Sequence, residues 1–122
     1  MSKTPKTIRD HFLNPQNSGV LENPSGSAES RNEACGDVLR IDVEVVENVV
    51  TRIVFQARAC SAVIGVASLI TTAALNSTVA DVQSFDIQSL IDAAGGVPPS
   101  KKHAGRVVMR ALSDALEGAS LS

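Results

Sequence analysis

The chain has 122 residues, of which 43% are hydrophobic and 20% charged, with a net charge of −2. This composition supports one folded domain over 1–122 and excludes an intrinsically disordered chain. With no long basic run, three Phe, and neither Trp nor Tyr to stack on bases, it also argues against nucleic acid as a main partner.

The elements follow in chain order. Thr4 and Pro5 read as a helix start, with Ile8 and Phe12 on one face and Asn14-Pro15 at the end. Met1 to Asp10 carries charges and no apolar signal core. Asn14 to Ala34 is rich in Asn, Ser, Gly and Pro and reads as a long loop with room for a short edge strand. Leu39, Ile41, Val43 and Val45 then alternate with Arg40, Asp42 and Glu44, the pattern of a half-buried strand. Glu47-Asn48 is a turn, and Thr51, Ile53 and Phe55 continue the alternation in a second strand.

Ser61 to Leu75 is apolar nearly all round and reads as a buried helix closed by Asn76. It is too short to cross a bilayer and contains Ser68, Thr71 and Thr72, so a soluble, cytoplasmic protein without membrane contact is expected. Thr78 and Asp86 cap two short helices, and Gly95-Gly96 stops the second. After Pro98-Pro99, Ser100 is the expected cap of a last helix. Its stripe is Val107, Val108, Ala111, Leu112, Ala115 and Leu116, and Gly118 ends it. The order predicts an α+β fold, a small antiparallel sheet with helices packed on one face.

Four residues at element ends carry the chemistry. Cys35 and Asp37 stand before the first strong strand, two apart and able to face one site. Cys60 lies between the second strand and the buried helix, where a helix N-terminus favours thiolate, and Arg58 adds to this if it points inward. His103 starts the last helix and can offer a neutral imidazole nitrogen. Two thiols in a reducing compartment suit metal binding or sulfur transfer, and equally suit small core residues. Placement at element ends, where scaffolds display functional groups, favours a metal or sulfur-handling site.

The segments Asp10–Gly19 (DHFLNPQNSG), Ala34–Asp37 (ACGD), Phe55–Ser61 (FQARACS), Ala67–Leu69 (ASL) and Val97–Ala104 (VPPSKKHA) occur in this order. Together they closely resemble the IscU/NifU N-terminal type of iron–sulfur cluster assembly scaffold. The resemblance implies an α+β scaffold rather than an enzyme. Such a scaffold takes sulfur from a cysteine desulfurase, binds iron, builds a [2Fe–2S] cluster and passes it to apo-protein acceptors. It further implies Cys35, Asp37, Cys60 and His103 as metal ligands, and Lys101 as a contact for a chaperone.

Three departures from the family pattern stand out. Ala104 replaces the cysteine expected after the histidine, Ala59 and Ser61 flank Cys60 in place of glycines, and Ser100 replaces a valine. Two thiolates, a carboxylate and an imidazole still suffice for tetrahedral zinc. They also leave room for a cluster with mixed ligands. Three readings therefore follow: a divergent scaffold, a zinc-binding structural or sulfur-relaying relative, and a metal-free pseudo-scaffold that regulates the desulfurase.

Overall fold

The computed structural model describes residues 6–32 and 36–120, with the side chain of Ser120 left aside. The chain runs α1 (Ile8–Leu13), β1 (Gly26–Asn32), β2 (Asp37–Val46), β3 (Val49–Arg58), α2 (Ser61–Ala74), α3 (Val79–Gln83), α4 (Ile87–Ala93), a 3₁₀ turn (Pro99–Lys101) and α5 (His103–Ser120). The three strands form one antiparallel sheet in the order β1-β2-β3. The α+β expectation holds.

The first helix begins later than the sequence suggested. Thr7 is its cap: the Asp10 N–H donates to Thr7 Oγ1, and the Asp10 carboxylate accepts from the Thr7 N–H, a capping box. The expected cap at Thr4-Pro5 lies outside the described residues. The region expected as a loop holds β1, a full edge strand. Its signal was masked by a polar sequence, Gly-Ser-Ala-Glu-Ser-Arg-Asn, that buries only Gly26 and Ser30 fully.

The hairpin turns at Glu47 and Asn48, both with positive φ (50° and 67°), the backbone that matches strand twist in a two-residue turn. Val45 pairs with Val50 and Glu44 with Arg52, leaving Thr51 as an extra residue. This bulge explains why Val50 is fully buried and Thr51 is not, against the simple alternation. The Thr51 hydroxyl instead donates to the Glu44 carbonyl and carboxylate.

Leu39, Ile41 and Val43 of β2 face the helices and are completely enclosed, together with Ile53, Val63, Val66, Ile70, Val108 and Leu112. Helix α5 packs on β1 and β2, and α2 packs on β3. The contact of β1 with α5 is backbone-close: a Cβ at Gly26 would collide with the Ala115 carbonyl. Helix α5 departs from expectation at both ends. A 3₁₀ turn takes up Ser100, so the helix starts at His103, and it runs through Gly118 to Ser120. Among the described residues no helix is long and apolar enough to cross a membrane.

Candidate metal centre

Three of the predicted ligands converge from three elements. Asp37 is the first residue of β2, reached through Gly36 with φ +70°, a conformation glycine adopts freely. Cys60 is the N-cap of α2, and no side chain caps that helix. His103 opens α5. Pro98 and Pro99 set up the 3₁₀ turn that delivers His103, with the Lys101 N–H donating to the Pro98 carbonyl at 2.8 Å.

The Asp37 carboxylate is the hub, only 3% exposed. Its Oδ1 accepts from the Cys60 backbone N–H at 3.0 Å. Its Oδ2 lies 3.0 Å from His103 Nε2 and 3.9 Å from Cys60 Sγ. One ligand atom from each of the three residues falls within 4.8 Å of the others.

A tetrahedral ion about 2.0–2.3 Å from each ligand needs ligand atoms roughly 3.3–3.8 Å apart. The observed separations of 3.0 and 3.9 Å straddle that range. With all three atoms within 4.8 Å of one another, side-chain rotations that close the sulfur–nitrogen gap would bring oxygen, nitrogen and sulfur around one cation. Soft sulfur, borderline nitrogen and hard oxygen together suit zinc or iron better than calcium or magnesium.

The remaining predicted residues fall as follows. Cys35, the fourth expected ligand, lies outside the described residues. Ala104, beside His103, is fully enclosed in the core. Arg58 does not support the thiol. It is exposed and lines a groove with Arg40, Gln56 and Glu29, since even-numbered residues at that end of the hairpin face away from the helices. Lys101 is half-buried and lines a cavity of about 260 Å³ with Phe12, Ala62, Val97 and Pro98.

His11 is buried, and its Nδ1 lies 2.7 Å from Ser68 Oγ. Ser68 Oγ also accepts from the Gln16 N–H at 2.8 Å, so this pair ties α1 and its exit loop to α2. Burial, opposed by the Asp10 charge, holds the His11 imidazole below its ordinary pKa.

A second polar feature adjoins the centre and was not visible as such in the sequence. A cavity of about 440 Å³ lies between β1 and α5, lined by Ser30, Asn32, His103, Arg106 and Arg110 among others. No periodic or motif signal marks Ser30.

Comparison with known proteins now bears on this geometry. The model of the NifU-like N terminal domain matches residues 3–118. The chain belongs to this family. It is 33% identical over 109 residues to the iron-sulfur cluster assembly scaffold protein IscU 1 of Archaeoglobus fulgidus, covering 89% of this chain and 71% of that protein. It is 35% identical over 68 residues to the zinc-dependent sulfurtransferase SufU of Bacillus subtilis, covering 56% of this chain and 46% of that protein. The crystal structure of the N-terminal part of a nitrogen-fixing NifU-like protein from Brucella abortus superposes with a TM-score of 0.78. Sequence identity there is 15%, over 94% of this chain and 92% of that one, which supports the fold. This IscU/NifU-type chain thus keeps the family's architecture and places an aspartate, a cysteine and a histidine together at the junction of three elements.

Proposed function

We propose that this protein is an iron–sulfur cluster assembly scaffold or carrier, with Cys35, Asp37, Cys60 and His103 as the ligands of its cargo. The observation that carries the reading is the convergence of Asp37, Cys60 and His103 in a chain of this family. Cys35, two residues before Asp37 in the sequence, supplies the second thiolate.

In this reading the Cys60 thiolate attacks the outer sulfur of a persulfide carried by a cysteine desulfurase. The new S–S bond forms at Cys60, the donor's S–S bond breaks, and the donor leaves as thiolate. Iron would then bind among the thiolates, Asp37 and His103. An external electron donor, a thiol or a low-potential one-electron carrier, would supply the two electrons per sulfur that cleave the Cys60 S–S bond, returning Cys60 as thiolate and releasing sulfide for a [2Fe–2S] cluster or its precursor. The product is then transferred to an apo-protein. Clusters held by two thiolates and two other ligands have precedent in Rieske centres. Lys101 and the apolar cavity beside it form a contact for a partner such as a chaperone.

The decisive experiment is anaerobic reconstitution with iron, sulfide and a desulfurase, followed by visible absorption and elemental analysis. The expected result is a coloured product holding near-equal iron and sulfide. A colourless product, with no desulfurase complex, would overturn the reading.

A second reading is favoured by Ala104, which removes one thiolate, and by the likeness to a zinc-dependent sulfurtransferase. Here the same residues hold zinc, and the protein relays sulfur or uses the ion structurally. Near-stoichiometric zinc after purification without chelators, lost in Cys60→Ala, supports it. Absence of zinc in such a preparation counts against it.

A further inference from the structure

The cavity between β1 and α5 carries an inference that the metal centre does not. His103, Arg106, Val107 and Arg110 stand at helical spacings of three and four and present one face of α5 to it. Ser30, Arg31 and Asn32 of β1 close the other side. Among the described residues no acidic side chain lines it, in a chain whose net charge is −2.

Arg31 is engaged by Glu29 at 2.8 Å. Arg106 and Arg110 have no ion-pair or hydrogen-bond partner among the described residues. Both are awkward for the helix alone. They form a like-charge pair four residues apart, and Arg106 puts a cation near the positive N-terminal end of α5.

An independent observation lies opposite them. Ser30 is only 3% exposed, and its Oγ is the buried side-chain polar atom without a hydrogen-bond partner among the described residues. A buried hydroxyl left unpaired is costly, and native structures retain few. Two guanidinium groups without a protein partner among the described residues and an amide line one space, with the enclosed Ser30 hydroxyl in its wall, a donor set suited to an acceptor.

We propose that this cavity binds a small oxyanion, the carboxylate or phosphate of a metabolite-sized molecule, next to His103. Guanidinium groups match the planar, bidentate geometry of both anions. A cavity of about 440 Å³ is within the usual range for small-ligand sites. The Ser30 hydroxyl donates to one anion oxygen and Asn32 supplies a further amide donor. The bound anion neutralises the Arg pair and sits favourably near the start of α5. Because His103 belongs to the lining, the occupant lies beside the metal centre without being a ligand to it.

The test uses metal-free protein at low ionic strength, so its outcome is independent of the cluster reading. Inorganic phosphate and citrate are titrated separately by calorimetry. Saturable binding of either supports the proposal, and the anion that binds identifies its chemical source. In R106Q/R110Q the affinity falls about tenfold or more, as expected for charge-assisted contacts. Both side chains are exposed, so circular dichroism should show an unchanged fold. Ser30→Ala weakens binding by a few fold, while K102Q, outside the cavity, leaves it unchanged. Absence of saturable binding of both anions, or equal affinity in wild type and the double Arg variant, overturns the proposal.

Discussion

Strand β2 buries two carboxylates five residues apart, and their surroundings differ in kind. Asp42, 2% exposed, lies on the face away from the helices. It accepts from the Ser27 hydroxyl, from Arg40 Nε at 2.9 Å and from the Leu21 N–H at 3.2 Å. Burial pushes its pKa up, but these donors outweigh burial and hold the carboxyl below its ordinary range. Asp37, 3% exposed, lies at the helix-facing end of the strand and meets a backbone N–H, an imidazole and a thiol. Asp42 has a cation and a full set of donors, so it fastens the loop carrying Leu21 to the sheet. Asp37 is surrounded by groups of metal-ligating type, so its burial serves the candidate centre rather than a structural tie. Burial alone therefore does not distinguish a structural carboxylate from a functional one; the identity of its partners does.

The sharpest way to break this contrast is to remove a ligand. Cys60→Ala should lower zinc or iron affinity on the order of a hundredfold or more, measured by competition with a chromophoric chelator. The same assay on Asp42→Ala should show nearly unchanged affinity, and an equal loss in both variants would erase the distinction. Asp42→Ala should instead cost about 2–4 kcal/mol of stability in urea unfolding, because it leaves the Leu21 N–H and Arg40 without their acceptor. Asp37→Asn should cost less stability than that while weakening metal binding, since it keeps an oxygen for the Cys60 N–H.

Acid sharpens the comparison further. The Asp42 carboxyl binds its proton less readily in the fold than in the unfolded chain. Its stabilisation is therefore complete above the ordinary carboxylate range and is lost as pH falls through the folded value. Urea midpoints measured from neutral pH downward should fall in that window, and the slope should flatten in Asp42→Asn. His11 gives the smallest effect. Its folded pKa also lies below the unfolded one, so its contribution is full above about pH 6.5 and declines as pH drops below that. His11→Asn should remove that shallow slope in the same measurement.

Much of this was legible in the chain. The alternation in Leu39–Val45 and the all-round apolar run from Ser61 gave the sheet and buried helix, because periodicity reports directly on burial. Asp37, Cys60 and His103 were identified from placement at element ends, and the structure brings them together. Strand β1 was largely hidden, since an edge strand whose outer side is exposed needs few apolar residues, and its closest packing uses a glycine. The bulge at Thr51 was hidden because it depends on cross-strand register, which one strand's sequence does not encode. The Arg106–Ser30 cavity was also hidden, because its two walls come from segments more than seventy residues apart in the chain.

The centre also has a topological consequence. Asp37 and Cys60 are 23 residues apart, and Asp37 and His103 are 66 apart. An ion held by all three is a cross-link that closes two long loops, and such closures cost most entropy in the unfolded chain. In the proposed function, loading would rigidify the junction of β2, α2 and α5 in one step, and unloading would loosen all three together. Amide hydrogen exchange at the starts of these elements would report whether the protein is full or empty, even where the cargo itself is colourless.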